Sequence, residues 1–343
     1  MDDNLKPTGE TQVDYTSRMP ASFGIQARGF SDEALANQLA TTVGAYVRSL
    51  GKYFDMSGLD GVTVAVDYGQ ALLELDRGYE TSHKLTASNS HVTGIAMTPA
   101  VIRDGKLKSH IMLDAKFMWP LASQDDAYLA YAIHVLAHEC AHVQVTDAFD
   151  SCFPGVLLRK QFPMLENFQW QVIKAVWDEY AVTVLSARIG EDQTEAYEAV
   201  FINDLKDAED RSNALIRQYR SHGSIDQVLG EIYGCWGNLL KFAAYHLGNL
   251  DGSGDSWRVH QPTAEALKDH WFLPYFERLH EACGKIADDF GRWTDLGDFS
   301  PISDIADELV KRAGLHITQV SQDQWYVDVP YTEETAPRST LAP

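Results

Sequence analysis

The chain has 343 residues, 45% of them hydrophobic, and carries 28 Lys and Arg against 49 Asp and Glu, a formal net charge of −21. That is enough apolar material for a sizeable core in one or two domains. The acidic balance argues against a nucleic-acid-binding surface, and no stretch interleaves clustered Lys or Arg with aromatics.

No apolar run approaches the length of a membrane span, and the polar first thirty residues lack the apolar core of a signal peptide. The cysteines, Cys140, Cys152, Cys235 and Cys283, lie without C-x-x-C spacing. The expectation is a soluble cytoplasmic protein with no membrane contact, free thiols, and neither a disulfide framework nor a cysteine metal site.

In chain order, residues 1–30 read as a disordered or extended segment, and Ser31 as the cap of a helix reaching about Tyr53. Val62 to Val66 alternates as a strand does. Gly94 to Ile102 and Lys108 to Leu113 flank Asp104-Gly105 and read as a hairpin, so a small sheet is expected over about 60–115.

Ser123 and Asp126 have capping-box spacing and open a Gly- and Pro-free run from Gln124 to about Thr146, with Leu129, Ile133 and Leu136 as a buried stripe. Within this helix stands His138-Glu139-Cys140-Ala141-His142, the H-E-x-x-H arrangement of zinc hydrolases. Residues i and i+4 project from one helix face, so both imidazoles can reach one Zn²⁺ at about 2.0–2.1 Å. Glu139 is then placed to take a proton from a water that the metal acidifies. His134 also stands four residues before His138, but Val135 offers no base, and His134 and His142 are about 12 Å apart along the axis, too far for one ion. It is read as a core or supporting histidine. Cys140 points elsewhere and is read as a packed thiol.

The connection from Phe149 to Pro163 either walls a pocket or packs on the core. Leu165 to Arg188 reads as a second long helix closed by Gly190. On it Glu179 shares a face with Val172, Ala175, Val176, Thr183 and Ser186, and an acid emerging from such a stripe needs a partner. A catalytic zinc usually takes three protein ligands, which makes Glu179 the candidate third. An ion pair with a Lys or Arg, or a solvated rim position, are the plainer alternatives. Asp178, about 100° around the helix, is the competing ligand.

His138, Glu139 and His142 on one helix with Glu179 on the next resemble the gluzincin branch of the zincin metallopeptidases. The segment Glu179-Tyr180-Ala181 with its following apolar run is similar to the ImmA/IrrE-type peptidases, although Asn or Asp does not follow the Ala and Arg188-Ile189-Gly190 replaces a Met-Pro ending. The resemblance covers about 130–190. It implies zinc at His138, His142 and Glu179, Glu139 as general base, an antiparallel pair of metal helices, and a small sheet whose nearest strand borders the cleft and pairs with extended substrate.

Further on, Glu191 to Arg220, Ile225 to Leu247, Thr263 to Phe290 and Ile302 to Ala313 read as helices, with a hairpin near 315–329 and a disordered tail at 331–343. Asp251-Gly252-Ser253-Gly254-Asp255 reads as a flexible connection. Tyr245, His246, Tyr233 and His222 are eligible by residue type to stabilise an oxyanion, a role left open among them.

The expected architecture is α+β: a zincin-like unit over 31–190 and a mainly helical region over 191–330. The expected activity is zinc-dependent hydrolysis of a protein or peptide substrate. The alternatives are a noncatalytic interaction or regulatory protein with a structural or vestigial metal site, and a helical protein with an accidental motif. The accidental motif predicts no metal and Glu179 remote from His138 and His142.

Overall fold

The computed structural model describes residues 18–87, 94–123, 126–321 and 324–336. The chain is α+β. Its first strand, β1 (Gly24–Arg28), lies in the segment expected to be disordered or extended, and residues 1–17 of that segment lie outside the described residues. Next comes α1 (Glu33–Leu50), capped by Asp32 rather than Ser31: the Asp32 carboxylate accepts from the backbone N–H of Ala34 and Leu35 at the positive end of the helix.

Strand β2 (Leu59–Ala65) runs parallel to β1, and a short helix α2 (Tyr68–Leu73) follows. Strands β3 (Ala96–Met97), β4 (Ala100–Arg103) and β5 (Lys106–Asp114) complete the sheet. Its order is β1-β2-β5-β3, with β5 parallel to β2 and with β3 and β4 lying in turn antiparallel along the outer side of β5. The hairpin falls where Asp104-Gly105 put it: both residues take positive φ, 50° and 75°, as a two-residue turn between β4 and β5 requires.

Helix α3 (Ala115–Ser123) follows β5 directly; its internal Pro120 hides it from a sequence reading that treats proline as a helix breaker. The motif helix, α4, runs Asp126–Cys152, six residues past the expected end. Gln124 and Asp125, where the start was expected, lie outside the described residues, as does the Asp126 side chain of the expected capping box. Instead of one buried stripe, α4 is enclosed nearly all round, with Ala132, Leu136, Ala137, Cys140, Ala141, Val143 and Val145 sealed from solvent.

After α5 (Val156–Arg159), α6 (Met164–Ser186) returns alongside α4. The pairings His138 and His142 with Glu179, and Phe149 with Trp170, run in opposite chain directions, so the two helices are antiparallel. Helix α7 (Thr194–His222) leads to α8 (Ile225–Ser253), which packs parallel to α6: Phe168 meets Gly230, Val172 meets Gly237, Thr183 meets Gly248 and Val184 meets Gly252. A Cβ on Gly248 or Gly252 would stand 2.3 Å from the Thr183 hydroxyl or the Val184 carbonyl, so these glycines set how closely α6 and α8 approach.

The stretch 251–255 is therefore no flexible connection. Asp251, Gly252 and Ser253 are the last turn of α8, and Gly254, at φ 76°, is its left-handed cap.

The expected single helix over 263–290 is two, α9 (Gln261–Leu267) and α10 (Leu273–Asp288): the chain leaves the helical path at Lys268 and at Asp269, φ 56°, and Pro274 sits in the first turn of α10, where its missing N–H costs nothing. Helix α11 (Ser300–Arg312) and the hairpin β6 (His316–Ser321) with β7 (Gln324–Asp328) close the fold. Residues 331–336 are ordered rather than disordered. Arg220 donates to the carbonyls of Val329 and Pro330, and Arg217 to that of Glu334; residues 337–343 lie outside the described residues.

One apolar core joins the sheet to the later helices, from Val62 and Ile111 through Val176 and Trp177 to Trp236, Phe276 and Leu309. Among the described residues no helix is long and apolar enough to cross a membrane.

Gly190 turns the chain from α6 back beneath α4. It sits at φ 80°, and a Cβ there would lie 2.5 Å from the Ala130 carbonyl and the His134 amide nitrogen. Gly190→Ala is expected to lower stability by about 3 kcal/mol or more, from left-handed strain plus a backbone clash. Denaturant unfolding checks this, and a loss under about 1 kcal/mol would contradict it.

Candidate functional site

Because α4 and α6 are antiparallel neighbours, the exposed faces of His138, His142 and Glu179 converge at the floor of a cavity of about 710 Å³. The Glu179 Oε2 lies 3.4 Å from His138 Nε2 and 3.6 Å from His142 Nε2. All three side chains are mostly buried, 13–17% exposed. Glu179 is therefore not remote from His138 and His142, as the accidental-motif reading expected. Asp178, the competing ligand, turns aside to pair with Lys174. Among the described residues, His138, His142 and Glu179 are the group whose donor atoms gather closely enough, within 4.8 Å of one another, to hold an ion.

The donor set suits a metal. Two donors about 2.0–2.1 Å from one tetrahedral ion stand about 3.3–3.4 Å apart, close to the distances separating Glu179 from each imidazole. The buried Glu179 Oε2 also has no hydrogen-bond partner of good geometry, and an anionic oxygen in that state invites a cation. The electrostatics couple the three groups. Burial alone would raise the Glu179 carboxyl, but His142 and then His138 outweigh it and hold it down at about 2. Burial likewise pushes His138 down, but the adjacent Glu179 carboxylate outweighs it and raises the imidazole above its ordinary value.

Glu139 lies on the same helix with its side chain at the cavity wall, 6% exposed. Its Oε2 accepts a 2.7 Å hydrogen bond from the Thr98 hydroxyl, which also reaches the Glu139 carbonyl at 3.1 Å. Thr98 occupies the break between β3 and β4, beside Pro99, where the outer strand interrupts its pairing with β5. Only the fold brings this contact together; nothing in the sequence around Thr98 marks it.

Behind the motif, His134 is a supporting core residue. Its Nδ1 lies 3.1 Å from the Ile189 carbonyl, to which it donates, and its Nε2 3.1 Å from the Tyr197 hydroxyl, from which it accepts. Burial and the neighbouring His138 push its pKa down to about 4. Cys140 is fully buried, its thiol pushed well up by burial and by Glu139, and all four cysteines are unpaired.

Of the four residues eligible to stabilise an oxyanion, Tyr245 alone lines the cavity. Its ring stacks on His138 at 5.9 Å between centroids. Burial, then Glu179, raises its hydroxyl well above the ordinary value, so it remains a donor. His246 is turned into the core against Thr263, Tyr233 donates to Asp307, and His222 accepts from the Ser224 amide at the end of α7.

The 149–163 connection does both things foreseen for it. Leu157 and Leu158 wall the cavity, while Phe149 and Phe153 pack with Phe299. No protein-family model, curated protein or solved structure matches this chain.

His134 and His246 are both buried as neutral imidazoles with pKa values lowered to about 4, against about 6.5 when unfolded. Their contribution to stability is therefore present above pH 6.5 and is lost as the pH falls to about 4, because the unfolded chain takes up their protons first. Imidazole NMR should show both rings unprotonated at pH 5, while the unfolding free energy of the metal-free protein falls between pH 6.5 and 4. Ordinary titration near pH 6.5 would refute the assignment.

Proposed function

We propose that this chain is a zinc-dependent metallopeptidase of the gluzincin type that hydrolyses peptide bonds in a protein or peptide substrate. The observation that carries the reading is the convergence of the Glu179 carboxylate, brought by α6, on both histidines of the α4 motif at the floor of a cavity that Glu139 also lines. His138, His142 and Glu179 would hold the zinc, leaving the cavity side for substrate. When bound, zinc supplies Lewis acidity, polarising a carbonyl and acidifying water.

The residues of the chain do the remainder. Glu139 takes the proton of the attacking water on its carboxylate and returns it to the leaving amine. Thr98 fixes one oxygen of that carboxylate, so the other is the one free to move the proton. Leu157, Leu158 and Phe242 give the cavity apolar walls that displace water around the scissile bond. The antiparallel β3 and β4 at the sheet edge suit a substrate bound in extended form. The unpaired cysteines suit a reducing compartment, and we place the activity in the cytoplasm.

Elemental analysis should find near-stoichiometric zinc in the purified protein and its loss in a His138→Ala, His142→Ala double variant. A zinc-free wild-type protein after zinc-replete growth would overturn the reading. Glu139→Gln should keep the metal and lower turnover of a peptide mixture by about 10²–10⁴-fold; full turnover by this variant would sink the mechanism. Thr98→Val should cost about tenfold in kcat with KM little changed, and Thr98→Ser should restore most of it.

A further inference from the structure

The cavity contains one cation for which the proposed chemistry gives no task. Its lining holds three acids, Glu139, Asp178 and Glu179, and two lysines, Lys174 and Lys241. Lys174 is taken up by Asp178, its neighbour one turn along α6. Lys241 stands on α8 one turn before Tyr245, so both look from the same helix face toward Glu179.

Lys241 lines the same cavity as Glu179. Among the described residues it forms no ion pair. Its nearest ring contact is with Phe242, 4.9 Å from the centroid. A half-buried lysine facing an apolar-walled cavity leaves ammonium donors to be satisfied by whatever enters. The chain as a whole, at net −21, disfavours anions, so a carboxylate held here needs a local cation.

We propose that Lys241 is a specificity-determining residue that binds a carboxylate of the substrate, either an acidic side chain or the free C-terminus of a peptide. The inference rests on the peptidase reading for what enters the cavity. Lys241 itself takes no part in bond breaking. It places the substrate chain by one charge-assisted hydrogen bond while the apolar walls at Leu157, Leu158 and Phe242 take neighbouring side chains.

The test uses the full-length protein as purified, with fluorescence anisotropy of labelled octapeptides in three forms read before turnover. One carries Asp or Glu with an amidated C-terminus, one has neutral side chains with a free C-terminus, and one is neutral and amidated. Wild type is expected to prefer one or both carboxylate forms over the neutral amide by about tenfold or more. That ratio should collapse toward unity in Lys241→Met, invert in Lys241→Glu, and largely survive in Lys241→Arg. Preference confined to the first form assigns a side-chain carboxylate, and preference confined to the second assigns the C-terminus.

No preference in wild type, no binding of any form, or a preference unchanged in Lys241→Met in a protein with normal circular dichroism would overturn the proposal. Cleavage of the same peptides by zinc-loaded protein separates the two hypotheses. Cleavage without a Lys241-dependent preference removes only the specificity assignment. A Lys241-dependent preference in a protein that binds no zinc and cleaves nothing removes only the peptidase reading.

Discussion

A carboxylate held mostly out of water is the constraint around which the centre of this structure is arranged. Glu179 emerges from the inner face of α6, where an ionised acid is costly unless positive charge or donors surround it. The chain gathers His138 and His142 from α4, Tyr245 from α8 and, further off, Lys241 around that one group. Two of these partners form the motif, and two come from a helix that the motif says nothing about. The result is a donor-rich floor in a cavity with apolar walls at Leu157, Leu158 and Phe242, with one carboxylate oxygen still lacking a good partner.

What brings α8 close enough to take part is the absence of side chains. Gly237, Gly248 and Gly252 let its backbone come close to α6, at a cost of about 1 kcal/mol each in helix propensity relative to alanine. The cost is offset by packing, since Trp177, Tyr233 and Trp236 are fully or almost fully buried where these helices and their neighbours meet. Had α8 been held farther out by Cβ atoms, Tyr245 could not stack on His138. Gly252, which reads in sequence as part of a flexible connection, is here what a tight helix pair demands.

The candidate centre was legible because its parts obey local rules. The i, i+4 spacing of His138 and His142 fixes a common face, and the apolar neighbours of Glu179 mark an acid that needs a partner. The Asp104-Gly105 hairpin was legible for the same reason, as a turn that selects its own residues. Thr98, Tyr245 and Lys241 were not singled out for the contacts they make, because those contacts cross 41 residues in the Thr98–Glu139 pair and a whole intervening helix in the others. The errors at 251–255 and at 263–290 were errors of punctuation. Gly252 was read as a break when it is a contact, and Pro274 was read through when it stands in the first turn of a new helix.

The enclosure of α4 has a dynamic consequence. A helix sealed by the sheet on one side and by α6 on another cannot tilt or unwind by itself without exposing the shared core, so both histidines belong to the most slowly opening part of the molecule. Amide exchange across 132–145 should then proceed only with global unfolding. The opposite wall of the cavity is built from shorter elements, α5 and residues 94–100, so the floor that carries His138, Glu139 and His142 is its most constrained part.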